Sequence, residues 1–113
     1  MLLAGFMEAN INPPLGSGVS GYYIPRFGQG FLDDLTLSVL MLSLDEKKIA
    51  LISVDSCGIN KNIIDRYTAA IEKATGIPKE NIFISATHTH TGALFAPTEA
   101  FAADEETICR YVD

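Results

Sequence analysis

The chain has 113 residues, which is enough for one small domain or part of a larger one but not for two. It is 48% hydrophobic and 19% charged, and this excludes a disordered protein, because disordered chains lack the apolar residues that build a core. Its net charge of −6 argues against nucleic acid and against charge-driven docking to anionic membranes, since both attract basic surfaces.

Targeting signals and cysteine motifs are also absent from the sequence as given. No apolar run reaches the ~18 residues that a membrane span requires. The first seven residues lack the positive region of a signal peptide. The compartment stays unknown from the sequence: cytoplasmic, or secreted if a signal was removed. The two cysteines, Cys57 and Cys109, match no metal or disulfide spacing, and we expect two buried or half-buried thiols.

The first part of the chain predicts one strand and a long loop. The apolar stretch 2–11 predicts the strand, which Pro13 and Pro14 end because proline cannot donate to a β-ladder. Residues 12–31 contain five of the nine glycines and predict an irregular segment. A loop of this length inside a compact domain is usually functional.

Two apolar runs on either side of a polar turn predict an antiparallel hairpin. The run 35–44 alternates only in part, which suits a strand buried on both faces or nearly so. The polar residues 45–48 predict the turn, and the run 49–54 predicts the second strand.

A β-α-β unit follows the hairpin. Asn60 predicts the start of a helix that runs to about Thr75, and Gly76 predicts its end. The run 82–86 predicts a further short buried strand, parallel to strand 49–54 and reached by a right-handed crossover. The fold class predicted is α/β, with a mixed sheet that contains an antiparallel hairpin and one right-handed β-α-β unit.

The end of the chain predicts a second helix. It would begin at the acidic residues 104–106 and reach Asp113, but its apolar pattern is incomplete. We therefore expect the 113 residues to be a truncated part of a larger domain.

Polar side chains cluster where the parallel strands end. Ligands of open α/β sheets bind beyond the carboxyl ends of such strands, and Asp55 and residues 87–90 occupy those positions. In an extended segment, His88 and His90 would share one face about 7 Å apart. They could hold one metal ion together, or one could hold it while the other handles a proton or a substrate hydroxyl. Asp55 is either a third ligand or a carboxylate that orients an imidazole. The alternative is a polar strand end with solvated histidines.

Glycines 16, 18 and 21 match a dinucleotide-binding motif by letter only. Prolines precede them and no helical pattern follows, which excludes the strand-to-helix context that the motif requires. We expect a turned loop whose glycines let the backbone approach a ligand or another strand.

Five segments in chain order carry a resemblance to a known family. They are 10–16 (NINPPLG), 21–22 (GY), 52–55 (ISVD), 75–78 (TGIP) and 85–92 (SATHTHTG). Together they resemble the amino-terminal part of the neutral/alkaline non-lysosomal ceramidases, in which the last segment usually reads THTHSGP. Members of that family are zinc-dependent amidases that hydrolyse the N-acyl bond of ceramide.

The resemblance implies a role for several residues. His88 would be a zinc ligand, and His90 would lie beside the substrate as a catalytic residue. Gly18 and Gly21 would let the loop lie against the substrate's head group, and Asp55 would support the site. Further ligands, a histidine, a glutamate and a tyrosine, would lie beyond residue 113, so the chain by itself is expected to bind zinc weakly and to lack amidase activity.

We therefore expect a zinc-dependent amide hydrolase that cleaves ceramide or a related lipid amide. The alternative is a non-catalytic ligand-binding or scaffold domain derived from that family, because Leu32 stands where the family has a histidine and residues 91–95 depart from the family's glycines. A metal enzyme that acts on a phosphate or a sugar is a third possibility. The residues beyond position 113 would separate these hypotheses.

Overall fold

Four strands and one α-helix make up about half of the described chain. The computed structural model describes residues 1–94, so Cys109 and the helix predicted from residue 104 lie outside the described residues. The elements are β1 (Leu2–Asn10), β2 (Thr36–Leu44), β3 (Lys47–Val54), α1 (Lys61–Thr75), a 3₁₀ turn (Lys79–Asn81) and β4 (Ile82–Ala86).

The strands form one mixed sheet in the order β1-β2-β3-β4. β1 pairs antiparallel with β2, β2 pairs antiparallel with β3, and β3 pairs parallel with β4. The predicted α/β class, the hairpin and the β-α-β unit are therefore confirmed. The hairpin turn is shorter than expected, since β3 begins at Lys47 and leaves two residues between its strands.

The ends of α1 follow from the capping residues that the sequence shows. The side chain of Asn60 accepts a hydrogen bond from the backbone N–H of Ile63 at 3.0 Å, as an N-cap does. Gly76 ends the helix in the left-handed conformation with φ of 72°, which glycine adopts without steric cost. No helix among residues 1–94 combines the length and the apolar character that a membrane span needs.

Helix α1 covers one face of the sheet, and the core lies beneath it. The buried apolar cluster consists of Ala50, Ile52, Val54, Ile77 and Ile82. An apolar cavity of about 400 Å³ lies between these strands and the helix, and it is lined on the helix side by Ile63, Ile64, Tyr67 and Ile71.

In the described part of the chain, the opposite face of the sheet is open. Phe6 and Phe83 on that face are 71% and 63% exposed, and Leu40 and Leu51 are 37% and 40% exposed. The prediction that the strand over 35–44 is buried on both faces is wrong, because within residues 1–94 a helix covers one side of the sheet only. The predicted burial of strand 82–86 holds for Ile82, which belongs to the core, but not for Phe83 on the other face. Alternate residues of each strand therefore face the helix and the open side.

The position of the core predicts which apolar side chains contribute most to the free energy of unfolding. Ile77 is 1% exposed, and its truncation to alanine should lower the free energy of unfolding by about 2–5 kcal/mol, because a cavity replaces packed methyl groups. The same substitution at Ile24, which is 69% exposed, should change it by less than about 0.5 kcal/mol. Urea denaturation followed by circular dichroism measures both. Equal losses for the two variants would contradict the assignment of the core.

Candidate metal centre

The parallel pairing of β3 and β4 brings two chain segments to one edge of the sheet, called the carboxyl edge below. Val54, the last residue of β3, is the register partner of Ala86, the last residue of β4. The N–H of Thr87 donates to the carbonyl of Val54 at 3.0 Å and extends the pairing by one step. Asp55 and Thr87 therefore leave the sheet side by side, and His88 follows Thr87 at the same edge, as the sequence predicts.

Asp55 holds the strand ends together. One carboxylate oxygen accepts hydrogen bonds from the N–H and the hydroxyl of Thr36 at 2.9 and 3.1 Å. The other accepts a hydrogen bond from the hydroxyl of Thr87 at 3.1 Å. The carboxylate thus bridges the start of β2 and the end of β4, and it reaches His88 through the residue that precedes it in the chain.

The two histidines lie against each other. Their Nε2 atoms are 3.3 Å apart, and their ring centroids are 4.9 Å apart with the rings nearly perpendicular. The predicted reason for this proximity is wrong, because His88 has a φ of 65° and the segment is a turn rather than an extended strand. A left-handed conformation is uncommon for a residue with a side chain, and such conformations cluster at functional sites.

A backbone hydrogen bond fixes the orientation of His88. Its Nδ1 lies 2.6 Å from the carbonyl oxygen of Cys57. A carbonyl oxygen only accepts, so Nδ1 carries the proton and Nε2 of the neutral ring keeps its lone pair. Histidines that bind metals commonly donate their other ring N–H to a carbonyl or carboxylate in this way.

The spacing of the two rings also fits a metal ion. Two nitrogens bound to one tetrahedral zinc ion at about 2.0–2.1 Å are about 3.3–3.4 Å apart, which matches the separation of the two Nε2 atoms. The same spacing lets one ring hold an ion while the other forms a hydrogen bond beside it. The donor set is therefore suited to zinc.

Cys57 is the site residue that the sequence prediction missed. Its Sγ lies 3.7 Å from Nδ1 of His88, and Cys57, His88 and His90 each offer a ligand atom within 4.8 Å of the other two. The side chain is half-buried, as expected, but it is not a core thiol. Its position two residues after Asp55, at the carboxyl edge, is the signal that could have identified it.

The glycine-rich loop contacts the histidine pair at Gly21. A Cβ atom placed on Gly21 would lie 2.5 Å from Nδ1 of His90, and the residue has a φ of 91°, so both space and conformation require glycine. The ring of Tyr22 meets His90 edge to face at 6.1 Å, and the guanidinium of Arg26 lies 4.5 Å from the centre of the Tyr22 ring. The loop thus packs directly on His90.

Gly18 has a different position from Gly21. It pairs with Phe27 across the loop, and its carbonyl accepts a hydrogen bond from the N–H of Leu94 at 3.1 Å. It also lines a cavity of about 210 Å³ together with Tyr22 and Gly92. The expected close approach of backbones is confirmed, since Gly18 joins the loop to the segment that follows the histidines.

Among comparisons with known proteins, only the comparison of structures finds similar proteins. A scan against models of protein families finds no match, and a search of curated proteins finds no significant one. The crystal structure of neutral ceramidase from Pseudomonas aeruginosa matches with a TM-score of 0.81 over 99% of this chain, at 19% sequence identity. A ceramidase complexed with C2 matches with a TM-score of 0.79 over 99% of this chain, at 20% identity.

The match covers only part of those larger proteins. This chain corresponds to 20% of the first structure and 19% of the second, so it spans about a fifth of their length. The resemblance that the sequence motifs predict is therefore confirmed for the fold: the described residues, 1–94, have the fold of a segment of neutral ceramidase.

Proposed function

We propose that this chain is the amino-terminal part of a larger zinc-dependent hydrolase domain that cleaves the N-acyl bond of ceramide or a related lipid amide. The observation that carries the proposal is the orientation of His88, whose Nδ1 is committed to the Cys57 carbonyl while Nε2 faces His90. The shared fold with neutral ceramidases supports the same reaction class.

In this proposal the two histidines do different work. His88 holds the zinc ion through Nε2. A bound zinc ion polarises an amide carbonyl and lowers the pKa of its water to about 7. His90 lies beside it and forms a hydrogen bond with a substrate hydroxyl or transfers a proton, which suits an exposed imidazole whose ring is held on one side by Gly21 and Tyr22.

The other predicted residues hold parts of the site in place and take no part in the reaction itself. Asp55 keeps the strand ends aligned through Thr36 and Thr87, so the turn that contains His88 starts from a fixed point. Gly21 lets the loop reach His90 and the head group of a substrate. Gly18 anchors the same loop to the residues after the histidines.

The unequal roles of the histidines give the first test. In the full-length protein, His88→Ala should lose bound zinc and activity together. His90→Ala should retain zinc while the hydrolysis rate falls by about 10²–10⁴, because it removes only a positioned acid, base or hydrogen-bonding group. Metal analysis of the purified variants, with hydrolysis of a fluorescent N-acyl sphingosine, measures both effects.

The outcomes of this test are distinct. If His90→Ala loses zinc and His88→Ala keeps it, the two assignments are reversed. If both variants keep zinc and normal folding, the histidines do not bind the metal, and a polar strand end with solvated imidazoles is the correct interpretation.

The contact between Gly21 and His90 gives a second test, with a matched control. Gly21→Ala should lower kcat/KM about 10²-fold with zinc retained, because the new methyl group must displace the His90 ring and a shift near 1 Å is enough for such a loss. Gly16→Ala is the control, since Gly16 has a similar φ of 85° but open space around its Cβ position.

Steady-state kinetics of both glycine variants measure kcat/KM, and zinc analysis shows whether each variant retains the metal. Similar activities for the two would show that backbone strain alone accounts for the effect and that the loop does not position His90.

A further inference from the structure

We propose that Arg26 selects substrates whose head group carries an anionic group, a carboxylate or a phosphate. The inference rests on the proposed function, because it takes the chain to belong to a hydrolase of lipid amides, and it narrows the class of substrate. The head group of ceramide is neutral, so Arg26 would favour a charged lipid amide over ceramide itself.

The first support is the position of Arg26, one aromatic ring away from the histidine pair. Its guanidinium is 4.5 Å from the centre of the Tyr22 ring, and that ring meets the His90 ring edge to face at 6.1 Å. Two ring contacts in series therefore connect the guanidinium to the imidazole that lies beside the substrate in the proposed function. A charged group a few bonds away from the amide would lie near the guanidinium.

The second support is that backbone pairing fixes the position of Arg26. The N–H of Val19 donates to the Arg26 carbonyl at 2.9 Å, and Val19 pairs in turn with Ala93, in the segment that follows the histidines. The backbone of Arg26 is thus tied to the same segment that carries His90. A binding group on a fixed backbone loses less conformational freedom when a ligand binds.

The third support is that the charge of Arg26 is not neutralised by the described part of the chain. Within residues 1–94 no carboxylate forms a salt bridge with it, and no oxygen accepts a hydrogen bond from its guanidinium. Asp34, an acidic residue of the same loop, accepts a hydrogen bond from the Asn12 side chain instead. The guanidinium lies over the face of the Tyr22 ring, and its N–H donors remain available to an oxyanion.

The fourth support is a cavity next to the histidines that Arg26 helps to line. Its volume is about 210 Å³, and its wall includes Tyr22 and Thr91, the residue that follows His90. Among the residues of 1–94 that line it, Arg26 is the only charged one. A pocket with apolar walls and one cation suits a small head group that ends in an anion.

The chemistry of arginine defines the group that is selected. A guanidinium binds a carboxylate or a phosphate through two parallel hydrogen bonds, which a neutral hydroxyl cannot accept in the same way. Arg26 is also the only lysine or arginine that precedes Lys47, in a chain whose net charge is −6. The first part of the chain therefore offers no second cation that could replace it.

Three N-octanoyl amides that differ only in their head group test the proposal with the full-length protein, below their micelle-forming concentrations. They are N-octanoyl ethanolamine, which is neutral, its phosphate ester, and N-octanoyl glycine. In the wild type, kcat/KM should be at least about tenfold higher for one of the charged amides than for the neutral one, because a hydrogen-bonded charge pair is worth about that factor or more. The preferred charged amide shows whether the anion is a phosphate or a carboxylate.

Substitutions of Arg26 assign this preference to its side chain. Arg26→Gln should lower the ratio of charged to neutral kcat/KM about tenfold, mainly by raising KM for the charged amide, since the lost contact is made in the ground state and the transition state alike. Arg26→Lys should retain part of the ratio, because it keeps the charge but lacks the planar fork. Lys48→Gln is the matched control: it removes the same charge at the hairpin end of β3, away from the carboxyl edge, and should leave the ratio unchanged.

Three results would overturn the proposal in variants that circular dichroism shows to be folded. One is the same ratio in the wild type and in Arg26→Gln. Another is a loss of similar size in Lys48→Gln, which would indicate an effect of net charge. The third is a fall in kcat for all three amides in Arg26→Gln, which would show that Arg26 only supports Tyr22 and His90.

Two further outcomes separate this inference from the proposed function. If the wild type hydrolyses the neutral amide and shows no preference for a charged one, the inference fails and the proposed hydrolase function stands. If it hydrolyses none of the three, the proposed function fails, and calorimetric titration with the two charged amides decides the role of Arg26. Binding that is lost in Arg26→Gln would support an anion site, and absent or equal binding would overturn it.

Discussion

The parallel pairing of β3 with β4 is the constraint on which the candidate site depends. Because Val54 and Ala86 are register partners, the chain leaves the sheet twice at the same edge, first towards Cys57 and then towards His88. A shift of one residue in this register would turn the side chains of one strand to the opposite face and would separate the two segments. Asp55 reinforces the register, since its carboxylate binds Thr36 and Thr87 beyond the ladder itself.

Local strain and close packing then shape the site. His88 adopts a left-handed backbone conformation, which costs about 1–3 kcal/mol for a residue with a side chain and persists only where the surroundings fix it. The hydrogen bond to the Cys57 carbonyl fixes the ring on one side, and the contact with His90 fixes it on the other. Gly21 allows the loop to close over His90, so a segment about seventy residues earlier in the chain forms part of the same site.

The sequence predicted the elements well because each has a local cause. Asn60 and Gly76 mark the ends of α1, and alternation and turn residues mark the strands. It predicted the meeting of His88 with the Asp55 segment because parallel strands end at a common edge. It could not predict the left-handed turn at His88 or the orientation of Cys57, since both depend on contacts between distant segments. The open face of the sheet was missed for a related reason: an apolar run shows that a strand can be buried, but not how many layers cover it.

The central claim is that His88 binds a metal ion through Nε2 while Nδ1 stays protonated. Long-range ¹H–¹⁵N correlation spectroscopy of the chain with labelled histidine tests it most directly, because it assigns the proton to one nitrogen and detects metal binding at the other. The structure predicts that Nδ1 of His88 carries the proton both before and after zinc is added, and that only the Nε2 resonance shifts strongly on addition. A proton on Nε2 in the zinc-loaded protein, or no change at either nitrogen on saturation with zinc, would contradict the claim.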